Sequence, residues 1–125
     1  MLARYHIVRG ARRPGDPLPN GIRQDTRKHT RHVLRPTEPL VLALLHDSSA
    51  EAFARFERGY VDLLKQRFAT ERPRFDELAE LARGNDVYLG CNCPTQRQPD
   101  IHHCHTVLAL AFLRDRYPDL DVRFP

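Results

Sequence analysis

Two hydrophobic periods alternate along this chain, and they restrict its possible folds more than any other feature. Residues 3–8 (ARYHIV) alternate between two faces, as a strand does. Later stretches repeat their apolar residues every three to four positions, which is the period of an amphipathic helix. Chains that alternate strands with helices fold as α/β domains. The sequence therefore predicts a small three-layer α/β domain with a short, mostly parallel sheet.

The same periods place the individual elements. Pro39 and a candidate N-cap at Thr37 favour a helix for the run LVLALLHD. Ser48 and Glu51 have the spacing of a capping box, and Gly84 stands where a helix would end. Further helices are predicted over residues 49–68, 75–83 and 102–117. Strands are predicted over residues 3–8, 87–91 and 120–124, the last two forming a βαβ unit with the helix between them.

The length of 125 residues fits one domain, which we expect to span residues 1–125. Within it, residues 9–35 contain three prolines, three glycines and few apolar anchors. We predict a basic Pro/Gly-rich loop here. A loop of this length is either functional or partly disordered.

The positive charge is concentrated at the start of the chain. Residues 1–36 hold nine Arg and Lys against two acidic residues, a net charge of +7, whereas the whole chain carries +4. Arg23, Arg27, Lys28 and Arg31 are therefore candidate contacts for an anion or for nucleic acid. The alternative is a solvated loop that offsets the acidic remainder. The loop contains no Phe, Tyr or Trp on which bases could stack.

The three cysteines lie close together, between Cys91 and Cys104. A secreted scaffold would spread an even number of cysteines along the chain. The first residues lack the apolar core of a secretory signal, and no apolar run approaches the roughly 20 residues that cross a bilayer. We therefore expect a cytoplasmic protein with no membrane association, in which the thiols are reduced.

A dense cluster of potential ligands begins at Cys91. It comprises six side chains within 15 residues: Cys91, Cys93, His102, His103, Cys104 and His105. Cys91 ends a predicted strand, and Cys104 lies in the first turn of the next predicted helix. Ligands of open α/β sheets bind beyond the carboxyl ends of the strands. The sequence thus predicts one site at the junction of strand end and helix start.

Three interpretations of the cluster are open. The cysteines, with His102, His103 or His105, would form a tetrahedral zinc site, for which we take Cys91, Cys93, Cys104 and His103 as ligands. Alternatively, Cys104 is a catalytic thiolate paired with His105, in a metal-free enzyme acting on an anionic or phosphate-bearing substrate. The third interpretation is that the cysteines only pack in the core.

Several of these residues are similar to those of a known family. Leu89-Gly90-Cys91 followed by Cys104-His105 resembles the strand–Cys–loop–Cys-His–helix pattern of the family named domain of unknown function 488. The similarity extends over about residues 34–117 and includes Leu34-Arg35-Pro36-Thr37 and His46-Asp47. It implies a compact α/β domain and supports a helix at LVLALLHD. It implies no activity, because that family is itself uncharacterised.

Overall fold

The computed structural model describes all 125 residues and confirms the α/β fold. Three strands are present: β1 (Leu2–His6), β2 (Ile22–Asp25) and β3 (Val87–Cys91). The chain also forms four α-helices: α1 (Glu38–His46), α2 (Ala50–Thr70), α3 (Arg72–Gly84) and α4 (His105–Arg116). A single 3₁₀ turn, Ile101–His103, precedes α4.

The sheet has the order β1-β3-β2, and all its strands are parallel. His6 of β1 pairs with Cys91 of β3, and Asp25 of β2 pairs with Gly90. The carboxyl ends of all three strands therefore meet at one edge of the sheet. This is the edge at which the sequence predicts a site.

One face of the sheet packs against the helices. Alternate residues of a strand share a face, so Leu89 and Cys91 point the same way, and both are buried. Helix α4 contacts β1 and β3 and also contacts α2, which in turn packs against α1 and α3. The sheet, α4 and α2 therefore form successive layers around one hydrophobic core, whose fully buried members include Leu110 and Phe75.

The structure corrects the interpretation of residues 9–35 as a loop throughout, because β2 lies inside this segment. Residues 22–25 (IRQD) carry too little apolar alternation to indicate a strand, and β2 forms because β3 offers it an unpaired edge. Gly21 precedes it with φ of +142°, and a Cβ there would lie 2.5 Å from the Asp86 carbonyl oxygen. Only glycine permits this approach.

The C-terminal strand predicted over residues 120–124 is also wrong. Only Val122 pairs there, as an isolated parallel bridge to Leu2. Two backbone hydrogen bonds hold it: Leu2 N–H donates to Asp121, and Arg123 N–H donates to Leu2. The segment thus touches the outer edge of β1 for a single residue, too briefly for a fourth strand.

The helices lie close to their predicted positions. Ser49 caps α2 and accepts a hydrogen bond of 3.1 Å from the Ala52 N–H, one residue after Ser48, at which the capping-box spacing predicts the cap. Helix α3 begins at Arg72 rather than at residue 75, with a proline in its first turn, and α4 begins at His105 rather than at residue 102. None of the four helices combines the length and the apolar character needed to cross a membrane.

Candidate metal centre

The three cysteines come together at the carboxyl edge of the sheet. The sulfur atoms of Cys91, Cys93 and Cys104 all lie within 4.8 Å of one another. Cys91 and Cys104 are only 5% and 2% exposed, whereas Cys93 is half-buried. The predicted convergence of these residues is confirmed, and the group could hold a metal ion.

Regular elements position two of the three thiols. Cys91 is the last residue of β3 and points to the helical face of the sheet, as Leu89 does. Cys104 occupies the N-cap position of α4. The positive end of a helix macrodipole favours a thiolate there.

Arg4 connects the segments that carry Cys93 and Cys104. Its Nη2 donates a hydrogen bond of 2.7 Å to the Cys93 carbonyl oxygen, and its Nε donates to Thr106 Oγ1 at 2.9 Å. The Thr106 hydroxyl then donates to Cys104 Sγ at 3.1 Å. Neither Arg4 nor Thr106 is among the site residues that the sequence predicts. One feature of the sequence could have indicated Arg4: it shares a face of β1 with the apolar Leu2. A charge on a buried face needs a partner.

His105 is buried beside the cysteines, and its two ring nitrogens face different groups. Nε2 lies 2.8 Å from Thr26 Oγ1 and 3.0 Å from the Thr26 carbonyl oxygen. The Thr26 hydroxyl donates to the Gly90 carbonyl at 3.0 Å, so the hydrogen between Thr26 and the ring belongs to Nε2. Nδ1 lies 3.9 Å from Cys104 Sγ. The imidazole therefore presents Nδ1 to the sulfurs.

The other two candidate histidines are engaged elsewhere. The His103 ring stacks on Phe53 with 4.0 Å between centroids, and its Nε2 lies 3.6 Å from an Asp100 carboxylate oxygen. His102 is exposed and also contacts Asp100, at 3.1 Å. Neither makes a hydrogen bond to a cysteine sulfur. The role of His103 as a metal ligand stays a prediction.

The grouped thiols alter one another's protonation. Hydrogen bonding from Cys91 and Cys93 holds the pKa of Cys104 well below its usual range, against the effect of burial. Hydrogen bonding with Cys104 and Cys91, together with burial, raises the pKa of Cys93. Burial disfavours the charged form of His105, but the Cys104 and Cys91 sulfurs outweigh it and raise the pKa of His105 to about 9. Without a metal, the site therefore favours a Cys104 thiolate beside an imidazolium.

A cavity of about 280 Å³ opens beside the cysteines. Sulfur atoms, apolar side chains, imidazoles and cations line it, and no aspartate or glutamate does. Arg27 and Lys28 belong to this lining, which places two of the four predicted anion contacts next to the cysteines. Arg27 also pairs with Asp25 at 2.7 Å, and Lys28 lies 3.9 Å from Glu38.

The structure does not bring the four basic candidates together. Arg23 lies on the face of β2 opposite to the cysteines, as residue alternation requires, and donates to the Pro19 carbonyl at 2.9 Å. Arg31 is exposed, and only its carbonyl is bound, by Arg74. Binding of nucleic acid by this segment stays a prediction.

No family model, curated protein or solved structure matches this chain. The similarity to the domain of unknown function 488 family stays a prediction for the same reason. The function must follow from the chemistry of the site itself.

Proposed function

We propose that this protein binds zinc, about one ion per chain, through the thiolates of Cys91, Cys93 and Cys104. The observation that carries the proposal is the convergence of three sulfur atoms to within 4.8 Å, in a chain that has only three cysteines. Three thiolates confined to this volume repel one another, and a divalent cation removes that repulsion.

The choice of zinc follows from the ligand type. Thiolate sulfur and imidazole nitrogen are the preferred ligands of Zn²⁺, at about 2.3 and 2.0 Å. Tetrahedral geometry with such bonds places sulfurs roughly 3.5–4 Å apart. A group with all separations within 4.8 Å needs a contraction of about 1 Å at most to reach this spacing.

His105 is the histidine best placed to complete the coordination. Its Nε2–H is directed at the Thr26 carbonyl oxygen, and its Nδ1 faces Cys104. A metal-bound histidine commonly donates its second ring N–H to a carbonyl or carboxylate, which fixes the ring and its tautomer. The resulting Cys₃His set leaves no open position, which is typical of a structural zinc site.

Metal analysis tests this proposal. Purified protein should contain about one zinc per chain by plasma mass spectrometry, and Cys93→Ala should lose most of it. His105→Gln should also lose zinc, whereas the matched change His103→Gln should retain it. Retention by His105→Gln together with loss by His103→Gln would assign the fourth position to His103 instead.

A metal-free nucleophile is the second candidate function. It is favoured by the low pKa of Cys104, caused by hydrogen bonds from Cys91 and Cys93, together with the cavity beside that thiol. Protein that lacks metal after growth in zinc, and whose Cys104 is alkylated rapidly near neutral pH, would support this function over zinc binding. Protein that lacks metal after growth in zinc, and whose Cys104 is alkylated slowly, would contradict both functions.

A further inference from the structure

We propose that the cavity beside the cysteines binds a small organic anion, with an apolar body and one carboxylate or phosphate group. This inference goes beyond zinc binding and does not require a metal. It rests on the size of the cavity, the character of its two walls and the absence of aspartate and glutamate from its lining.

The size suits a compact molecule. A volume of about 280 Å³ lies just below the range of roughly 300–1,000 Å³ typical of pockets for small organic ligands, and it exceeds what a single ion needs. The cavity therefore has room for a charged group and an apolar body of about one ring.

One wall is apolar. Helix α1 contributes Val41, Leu44 and Leu45 to it, and α2 contributes Phe56. Leu45 remains 37% exposed although it lines this cavity. A bound apolar body would remove this surface from water, which is favourable in proportion to the area covered.

The segment after β2 supplies the charge. Asp25 occupies the Nε and Nη2 groups of Arg27, at 3.0 and 2.7 Å, and so fixes the guanidinium while Nη1 makes no hydrogen bond. The Lys28–Glu38 pair is long and solvent-exposed, so it costs little to exchange Glu38 for another anion. Two positively charged residues thus line a cavity that has no carboxylate in its lining.

Together the two walls favour an anionic ligand over a neutral or a cationic one. The Asp25 carboxylate pairs with Arg27 and lies 3.8 Å from His29, but it does not line the cavity. A neutral ligand would gain only the apolar contact. A cationic ligand would meet Arg27 and Lys28 with like charge. An anion gains from both walls, which is the chemical basis of the assignment.

Four one-ring probes test the proposal on the full-length protein: benzoate, phenyl phosphate, benzamide and benzylamine. Each is titrated while amide resonances are followed by NMR. Benzoate or phenyl phosphate should shift the resonances of Phe56 and Leu45. The dissociation constant of that anion should be at least about tenfold lower than that of benzamide, and benzylamine should bind more weakly than benzamide. The better of the two anions identifies the preferred acidic group. Equal binding of all four probes, or binding of none, would overturn the proposal.

Variants localise the binding. Lys28→Gln and Arg27→Gln should each weaken the anion about tenfold, and Leu45→Asn should weaken benzoate and benzamide alike. Arg31→Gln is the matched control, because Arg31 is exposed and does not line the cavity. Loss of binding in that control would point to general charge rather than to this cavity.

Zinc content is measured on the same samples, so the two proposals fail separately. Zinc-containing protein that binds no probe would overturn the anion site alone. Protein that contains no zinc as purified, yet binds the anionic probes, would overturn the zinc proposal and leave the anion site standing. Lys28 is exposed, so its variant tests the site even where Arg27→Gln perturbs the fold.

Discussion

At the scale of single residues, His32 is held in its neutral form by the two hydrogen bonds of its ring. Nδ1 accepts from the Leu34 N–H at 3.1 Å, and Nε2 donates to Gln24 Oε1 at 2.7 Å. A proton on Nδ1 would remove the acceptor for Leu34. Burial lowers the pKa of His32 to about 4, aided by the charges of Arg74 and Arg35 and opposed by Asp25.

This lowered pKa predicts a loss of stability in acid. The unfolded chain binds the proton at its ordinary pKa of about 6.5, so the contribution of neutral His32 is complete above pH 6.5 and is lost as the pH falls towards 4. Two and a half pKa units correspond to roughly 3 kcal/mol. The free energy of unfolding in urea should therefore fall more steeply between pH 6.5 and 4 for the wild type than for His32→Gln. Parallel pH profiles of the two proteins would contradict this role.

At the scale of elements, helix α2 anchors the segment that joins β2 to α1. Tyr60 donates from its hydroxyl to the Leu34 carbonyl at 2.6 Å. Arg67 Nη1 donates to the Val33 and Arg35 carbonyls at 2.8 and 2.6 Å. Three successive carbonyl groups are thus satisfied by side chains of one helix. This arrangement lets residues 33–35 run beside the core without strand or helix pairing.

Removing one of these donors should measurably weaken the fold. Tyr60→Phe keeps the ring but leaves the buried Leu34 carbonyl without its partner, which costs about 1–3 kcal/mol. Chemical denaturation should show this loss. Thr70→Ala is a suitable control because the exposed Thr70 hydroxyl also donates to a helical carbonyl, of Gln66, and its removal should cost far less. Equal losses in both variants would refute the anchoring role.

At the scale of the whole molecule, the cysteines join parts of the chain that local structure leaves independent. Cys91 ends the central strand, Cys93 lies in the loop that follows, and Cys104 begins the helix that covers the sheet. A bound ion would tie these three parts together. Because the unfolded chain does not present the ligands as one site, binding adds to the free energy of unfolding.

Chelation should therefore lower the thermal stability of zinc-loaded protein. At free zinc about 100-fold above the dissociation constant, the bound ion contributes about 2.7 kcal/mol, which corresponds to roughly 10 °C in Tm for a domain of this size. Differential scanning calorimetry with and without a chelator measures the shift. Cys93→Ala should show no such shift. An unchanged Tm after complete zinc removal from the wild type would contradict a structural role for the ion.

The sequence alone determined the fold class, the approximate extent of the four helices and the place of the site. These features depend on hydrophobic period, capping residues and the spacing of ligands, all of which are local. It also determined that Cys91 and Cys104 would meet, because only a loop and one 3₁₀ turn separate β3 from α4 along the chain.

Only the tertiary structure decided which other residues belong to the site. Strand β2 exists because β3 provides its pairing edge, and residues 22–25 alone do not indicate it. His105 faces the sulfurs because Thr26, 79 residues away, binds its other nitrogen. Arg4 reaches Thr106 across 102 residues. Such contacts join side chains that are far apart in the sequence. Neither hydrophobic periodicity nor residue spacing contains information about such pairs, so these contacts could not have been predicted.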